Sequence, residues 1–185
     1  MSGVPSGYIK QEFDETLGYI RGDIRWLLEN SGLNYTIGLL IGCGCEMLSA
    51  CSGDRTRSGE KIFVELLPDQ WKPLAARIYG ALRDGLAHGF DTKHLLVDGT
   101  EHQIYLSSRE RLGTQLVKND RGVGLLVGLR LIAEGLCERI DEFEHLLDLD
   151  ENARQRFLKA RQPAAVLNTC EAEVWRALAA KPHYY

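Results

Sequence analysis

Between residues 13 and 27 the apolar side chains Phe13, Leu17, Ile20, Ile24 and Leu27 recur every three or four positions. Glu12, Asp14, Glu15, Arg21, Asp23 and Arg25 occupy much of the remainder. That spacing predicts an amphipathic helix. It should close at ENSG, where Gly32 is expected to take the left-handed conformation that ends a helix. NYTIGLLIGCGCEMLSACSG predicts a buried helix, with Asn34 as its N-cap and its end at Ser52 and Gly53. Gly38 and Gly42 share a face of it and permit close approach of a neighbour. IFVELLP reads as a short helix or extended piece stopped before Pro68. From Asp69 the pattern is helical again, with Trp71, Ala75, Ile78, Leu82 and Leu86 along one stripe and Pro73 near the start.

After Asp91 the period changes. HLLVDGTEHQIYLS predicts two short strands around the turn pair Asp98-Gly99, a small β-hairpin inserted at residues 93–107. DRGVGLLVGLRLIAEGLCERIDEFEHLLDLD is read as one helix capped by Asp120. Leu126, Leu129, Ala133, Leu136, Ile140, Phe143 and Leu147 form its stripe, and Gly124 and Gly128 its close-packing face. A short helix to Arg161, a break at Pro163 and a final amphipathic helix before Pro182 complete the chain. The expected fold is mainly all-α, a bundle of five or six helices in a single domain over residues 1–185.

The 185 residues are enough for one substantial core. With 44% hydrophobic and 26% charged residues, the composition is that of an ordinary globular protein. A formal charge of −4 argues against broad, sequence-blind attraction to a phosphate backbone. Local basic patches remain, Arg55 and Arg57 with Lys61 and Arg109 with Arg111, but each lies beside acidic residues and reads as a solvated loop. MSGVPSGYIKQEF lacks the pattern of an export signal, and TIGLLIGCGC is too short and glycine-rich to read as a bilayer span. Five cysteines leave one over in any disulfide scheme, so the expectation is a soluble protein of the reducing cytoplasm, with no membrane association.

Several candidate chemistries fail on spacing. Cys43 and Cys45 are two apart, unlike a C-x-x-C pair, and read as buried apolar cysteines with Cys51 and Cys137. GCGCEM and RGVGLLVG lack the complete nucleotide-loop pattern, and no phosphate-holding G-K-[ST] occurs. His94, His102, His145 and His183 are scattered without H-E-x-x-H, His94 and His102 reading as polar strand surface. Glu138, Asp141, Glu142 and Glu144 read as a solvated helix face. No metal or cofactor is expected.

ALRDGLAHGF, residues 81–90, is different. On an ideal helix Leu82 and Leu86 lie near one radial direction, while Asp84 and His88, four apart, share another face. Arg83 and His88 diverge by about 140°. A histidine can exchange a proton near neutral pH, an arginine can hold a phosphate bidentately, and Asp84 can orient either. These roles suit phosphodiester cleavage in which the RNA 2′-hydroxyl is the nucleophile. One helix makes a thin site, so a second copy in a C2 dimer is expected to complete it.

IYGALRDGLAHGF resembles the HEPN superfamily of small α-helical domains, whose arginine, polar residue and downstream histidine correspond here to Arg83, Asp84 and His88. The specific resemblance covers roughly residues 60–90. It implies a helical bundle that dimerises across the motif and a metal-independent endoribonuclease, as found in toxin–antitoxin, antiviral or RNA-processing systems. The products would be a 2′,3′-cyclic phosphate and a 5′-hydroxyl. RNA, a second copy and an antitoxin or other regulatory protein are the partners so implied. The alternative is a noncatalytic dimeric interaction or ligand-binding module that retains the motif.

Overall fold

The structure is a computed structural model that describes residues 6–53, 58–86, 95–109, 112–120 and 122–161. Helix α1 (Ser6–Phe13) continues through a π-turn (Asp14–Gly18) into α2 (Tyr19–Asn30). Phe13, Leu17, Ile24 and Leu27 are buried and Ile20 packs beside them, so the expected stripe faces the core. The stop differs from expectation. Ser31, not Gly32, terminates the helix in an extended conformation, and Gly32 keeps an ordinary φ. The Ser31 N–H and hydroxyl both donate to the Leu27 carbonyl, satisfying an end group without a left-handed residue.

Helix α3 (Asn34–Ser52) ends where expected, on Gly53 with φ +66°. Asn34 does not cap it. Leu33 holds the cap position, and the Asn34 amide oxygen accepts instead from the Ser108 N–H and hydroxyl, both at 2.8 Å. With 19 residues, α3 is long and apolar enough to cross a membrane by length and composition, contrary to the estimate from TIGLLIGCGC alone. In this fold it is the central helix, packed against α2, α4 (Gly59–Leu66) and the two last described helices, α6 (Leu129–Leu149) and α7 (Glu151–Arg161).

The helix expected from Asp69 comes in three windings. A 3-10 segment (Asp69–Leu74) contains Pro73, whose missing N–H interrupts a regular first turn. Helix α5 (Ala75–Gly80) follows, and then a π-turn (Ala81–Gly85). Ala75, Ile78, Leu82 and Leu86 are buried along the expected stripe.

The β region is not a small hairpin. Strands β1 (Leu95–Val97) and β2 (Thr100–His102) do pair around Asp98 and Gly99, whose φ values of +49° and +78° suit a primed hairpin turn. Residues 93 and 94 lie outside the described residues. Three further strands, β3 (Ile104–Ser107), β4 (Gln115–Asn119) and β5 (Gly122–Gly128), form a second open sheet in the order β3-β5-β4. Here β3 runs parallel and β4 antiparallel to β5. The helix expected from Asp120 therefore starts nine residues later, at Leu129, and Leu126 belongs to a strand. From Leu129 the expected stripe holds, with Ala133, Leu136, Ile140, Phe143 and Leu147 buried. Gly124 and Gly128 serve close packing within the sheet region: a Cβ on Gly124 would come 2.8 Å from the Gln103 carbonyl oxygen.

Arginines tie these parts together. Arg130 donates to the Leu28 carbonyl at 2.7 Å and the Ser108 carbonyl at 3.2 Å, fastening the end of α2 to the segment after β3. Arg154 and Arg156 of α7 donate to terminal carbonyls of α6 and α3, at Leu147 and Ser52, where the helix dipole favours a cation.

The acidic run on α6 is more than a solvated face. Asp141 receives Arg21 and Arg25, each at 2.6 Å, and Glu144 receives Arg21 and Lys10. Burial pushes the Glu144 carboxyl up, but hydrogen bonds from Arg21 and Lys10 outweigh it and hold the group below its ordinary value of 4.5. A depressed carboxyl contributes stability above its unfolded value and loses it as pH falls through the folded one. Urea unfolding at pH 7 and at pH 3 should therefore show wild type losing more stability on acidification than Glu144→Gln. Equal losses would remove Glu144 from the acid response.

Candidate functional site

The Ala81–Gly85 π-turn sits between Gly80 and Leu86 and rests on α3. Its i→i+5 bonding winds the chain differently from an α-helix, so the ideal angles used for ALRDGLAH do not apply across it. The sidedness survives nevertheless. Leu82 and Leu86 are fully buried against Gly38, while the Arg83 and Asp84 side chains are 54% and 42% exposed. A Cβ on Gly42 would lie 3.4 Å from the Arg83 Cα, in ordinary van der Waals contact. The backbone of the motif thus lies directly on α3.

Arg83 and Asp84 are together, with Arg83 Nη1 3.5 Å from Asp84 Oδ1. His88, the third expected site residue, lies outside the described residues. Two groups that the motif did not announce complete the cluster. Arg83 Nε is 3.2 Å from Glu46 Oε1, and the same oxygen accepts from the Tyr79 hydroxyl at 2.8 Å. Burial first, and then the hydrogen bond to Glu46 and its charge, push the Tyr79 phenol far above its ordinary value, so it remains a neutral donor. Its ring packs on Phe63 with centroids 5.4 Å apart. Gly59 leaves room for the pair, since a Cβ there would overlap the Tyr79 hydroxyl and approach Glu46 N to 2.9 Å. Sequence carried one signal for Glu46: it is the only charged residue between Asn34 and Ser52. Tyr79 carried none, because it lies 33 residues away and faces inward.

Glu46, Arg83 and Asp84 border an open groove of about 640 Å³ that also takes in Gly42, Met47 and Ala50 of α3 and, from α7, Arg161. Arg161 is itself paired with Glu12 at 3.2 Å. Cys43 lies exposed in the groove, which corrects its reading as a buried cysteine, whereas Cys45, Cys51 and Cys137 are buried. Burial pushes the Cys51 thiol up to about 11. Such a thiol is protonated at neutral pH and a poor nucleophile.

The other expected candidates stand apart. Lys61 lies at the start of α4, where its N–H donates to the Ser58 hydroxyl, while Arg55, Arg57 and Arg111 lie outside the described residues. A His102 ring nitrogen is 2.7 Å from the Val123 carbonyl oxygen, tying β2 to β5, and His94 and His183 lie outside the described residues. Among the described residues no three His, Cys, Asp or Glu side chains gather as a metal site.

Chemically, the groove offers a half-exposed guanidinium with a fixed carboxylate on one side and a second carboxylate beside it. Such a group can bind an anionic oxygen while its direction is set from behind. Comparison with protein-family models, with curated proteins and with solved structures gave no match.

Proposed function

We propose that the protein is a cytoplasmic, metal-independent endoribonuclease of HEPN type, acting as a homodimer whose two RDGLAH motifs share one cleft. The observation that carries this reading is the exposure of the Arg83 guanidinium on an open groove while Leu82 and Leu86 anchor its helix from the other side. Arg83 would hold the scissile phosphate and stabilise charge growing on its oxygens. One His88 would take the 2′-hydroxyl proton as the 2′-oxygen attacks phosphorus. As the bond to the 5′-oxygen breaks, the partner copy's imidazolium would deliver a proton there. Asp84 would set the geometry of Arg83. A 2′,3′-cyclic phosphate and a 5′-hydroxyl result, with no external co-reactant. An antitoxin or other regulatory protein that covers the groove would control such an activity.

The second reading, a noncatalytic dimeric interaction module, is favoured by the carboxylates already engaging Arg83. Mixed RNA incubated in chelator with wild type and with His88→Ala separates the two. The ribonuclease reading expects wild type to leave cyclic phosphate and 5′-hydroxyl ends and the folded variant to leave none. Intact RNA with wild type, or equal cleavage by both, would overturn it.

A further inference from the structure

Glu46 is a lone carboxylate on an otherwise uncharged helix, and the chain surrounds it with devices that fix one of its oxygens. The hydroxyl of the buried Tyr79 donates to Oε1 at 2.8 Å, the Phe63 ring braces the phenol, and Gly59 omits the side chain that would fill the space. Arg83 Nε meets that same oxygen at 3.2 Å. A flexible exposed ion pair needs none of this construction, and a salt bridge for stability alone gains little at such exposure. The arrangement does favour one direction: with a Glu46 oxygen fixed by Tyr79 and Arg83 Nε paired to it at 3.2 Å, the guanidinium is biased toward a single placement on the groove.

We propose that Glu46, held by Tyr79, is a positioning residue that orients Arg83 toward a phosphodiester in the groove. This rests on the ribonuclease reading for its substrate, but the orientation of Arg83 is measurable without RNA. The carboxylate acts twice, with opposite signs. As an acceptor it aligns the guanidinium and so assists the step in which charge grows on the phosphate oxygens. As an anion beside the binding site it weakens attraction for the phosphate of the ground state.

Glutamine at position 46 keeps an acceptor oxygen and removes the charge, whereas alanine removes both. With RNA as substrate, Glu46→Ala is expected to lower kcat by about 10- to 100-fold, the scale of a misplaced catalytic group. Glu46→Gln should retain most of kcat and show a lower KM. Tyr79→Phe, which keeps the ring on Phe63, should lower kcat in the direction of Glu46→Ala. Thermal melts verify that each variant is folded. Equal kcat and KM for the glutamine and alanine variants would overturn the proposal.

The arginine Nε–H resonances of ¹⁵N-labelled protein provide the reading that needs no activity. The Arg83 Nε–H should be ordered and slow to exchange in wild type and Glu46→Gln, and averaged in Glu46→Ala. An Arg83 Nε–H equally ordered in all three would overturn the positioning role, even in a protein that cuts RNA. Should wild type cut no RNA, the ribonuclease reading fails by itself and the resonance comparison still decides whether Glu46 orients Arg83.

Discussion

Replacing Arg83 with alanine is expected to cost about 100- to 1000-fold in kcat/KM for RNA cleavage, the scale on which a single transition-state donor acts, and almost nothing in stability. The two expectations follow from the same position. The side chain is 54% exposed and its partner Glu46 is 42% exposed. Exposed ion pairs contribute about 0–1 kcal/mol, and in a chain of this size that amounts to a Tm change of about 2–4 °C at most. Glu46 does not become an orphan when Arg83 goes, because Tyr79 still donates to it. Arg83→Lys should fall between wild type and alanine, since it keeps a charge but loses the planar fork that meets two phosphate oxygens. Initial rates on one RNA, read beside thermal melts, check all of this. A variant that cuts RNA normally removes Arg83 from the site. One that melts far lower makes it a structural residue.

The inward side of the motif was legible in the sequence because Leu82 and Leu86 are four apart, and a four-residue spacing stays on one side even where the winding changes. The winding was not legible. A π-turn differs from an α-turn by one hydrogen-bond step, and ALRDG carries no composition that demands it. Gly80, just before the turn, and Gly85, its last residue, lower the cost of such a departure without specifying it. Glu46 announced itself as the one charge in an apolar helix, but its meaning depended on Tyr79 and Arg83, which local spacing cannot supply.

The sheet shows where periodicity fails. In β5, GVGLLVG is apolar at almost every position because Gly124, Leu125, Val127 and Gly128 are all buried. A strand covered on both faces loses its two-residue alternation and becomes indistinguishable from a buried helix by pattern alone. It also runs without a break into Leu129, the true start of α6, so the helix's own strong stripe extended the expectation backwards. The two β-branched valines favoured a strand, and three glycines in seven residues weighed against a helix. The hairpin was legible for the opposite reason: Asp98-Gly99 is a turn pair whose required positive φ values are local chemistry.

Gly128→Ala is expected to be the most damaging single-methyl change in the described chain, for a reason unrelated to backbone freedom. Gly128 has φ −77° and ψ 96°, a conformation open to alanine. Were that all, the substitution would stabilise the protein by restricting its unfolded state. The added Cβ would instead overlap the Leu112 carbonyl oxygen and lie 2.7 Å from Gly113 C and 2.8 Å from Gly113 Cα. Every one of these atoms is main chain, so no rotamer change relieves the clash. Moving the segment away also lengthens the 3.2 Å bond from the Gly128 N–H to the Thr114 hydroxyl, and it disturbs the last parallel pair of the sheet, Ser107 with Gly128, one residue before α6 begins. Overpacking of this kind costs about 1–3 kcal/mol and occasionally more, a fall in Tm of about 2–12 °C. Gly22→Ala supplies the contrast. It lies exposed within α2 with nothing inside 4 Å of a Cβ, and exchanging glycine for the best helix former there should raise stability by about 0.5–1 kcal/mol. Thermal melts of the two variants should therefore move in opposite directions from wild type. A Gly128→Ala protein that melts at or above wild type would mean that the Leu112–Gly113 main chain does not lie against β5.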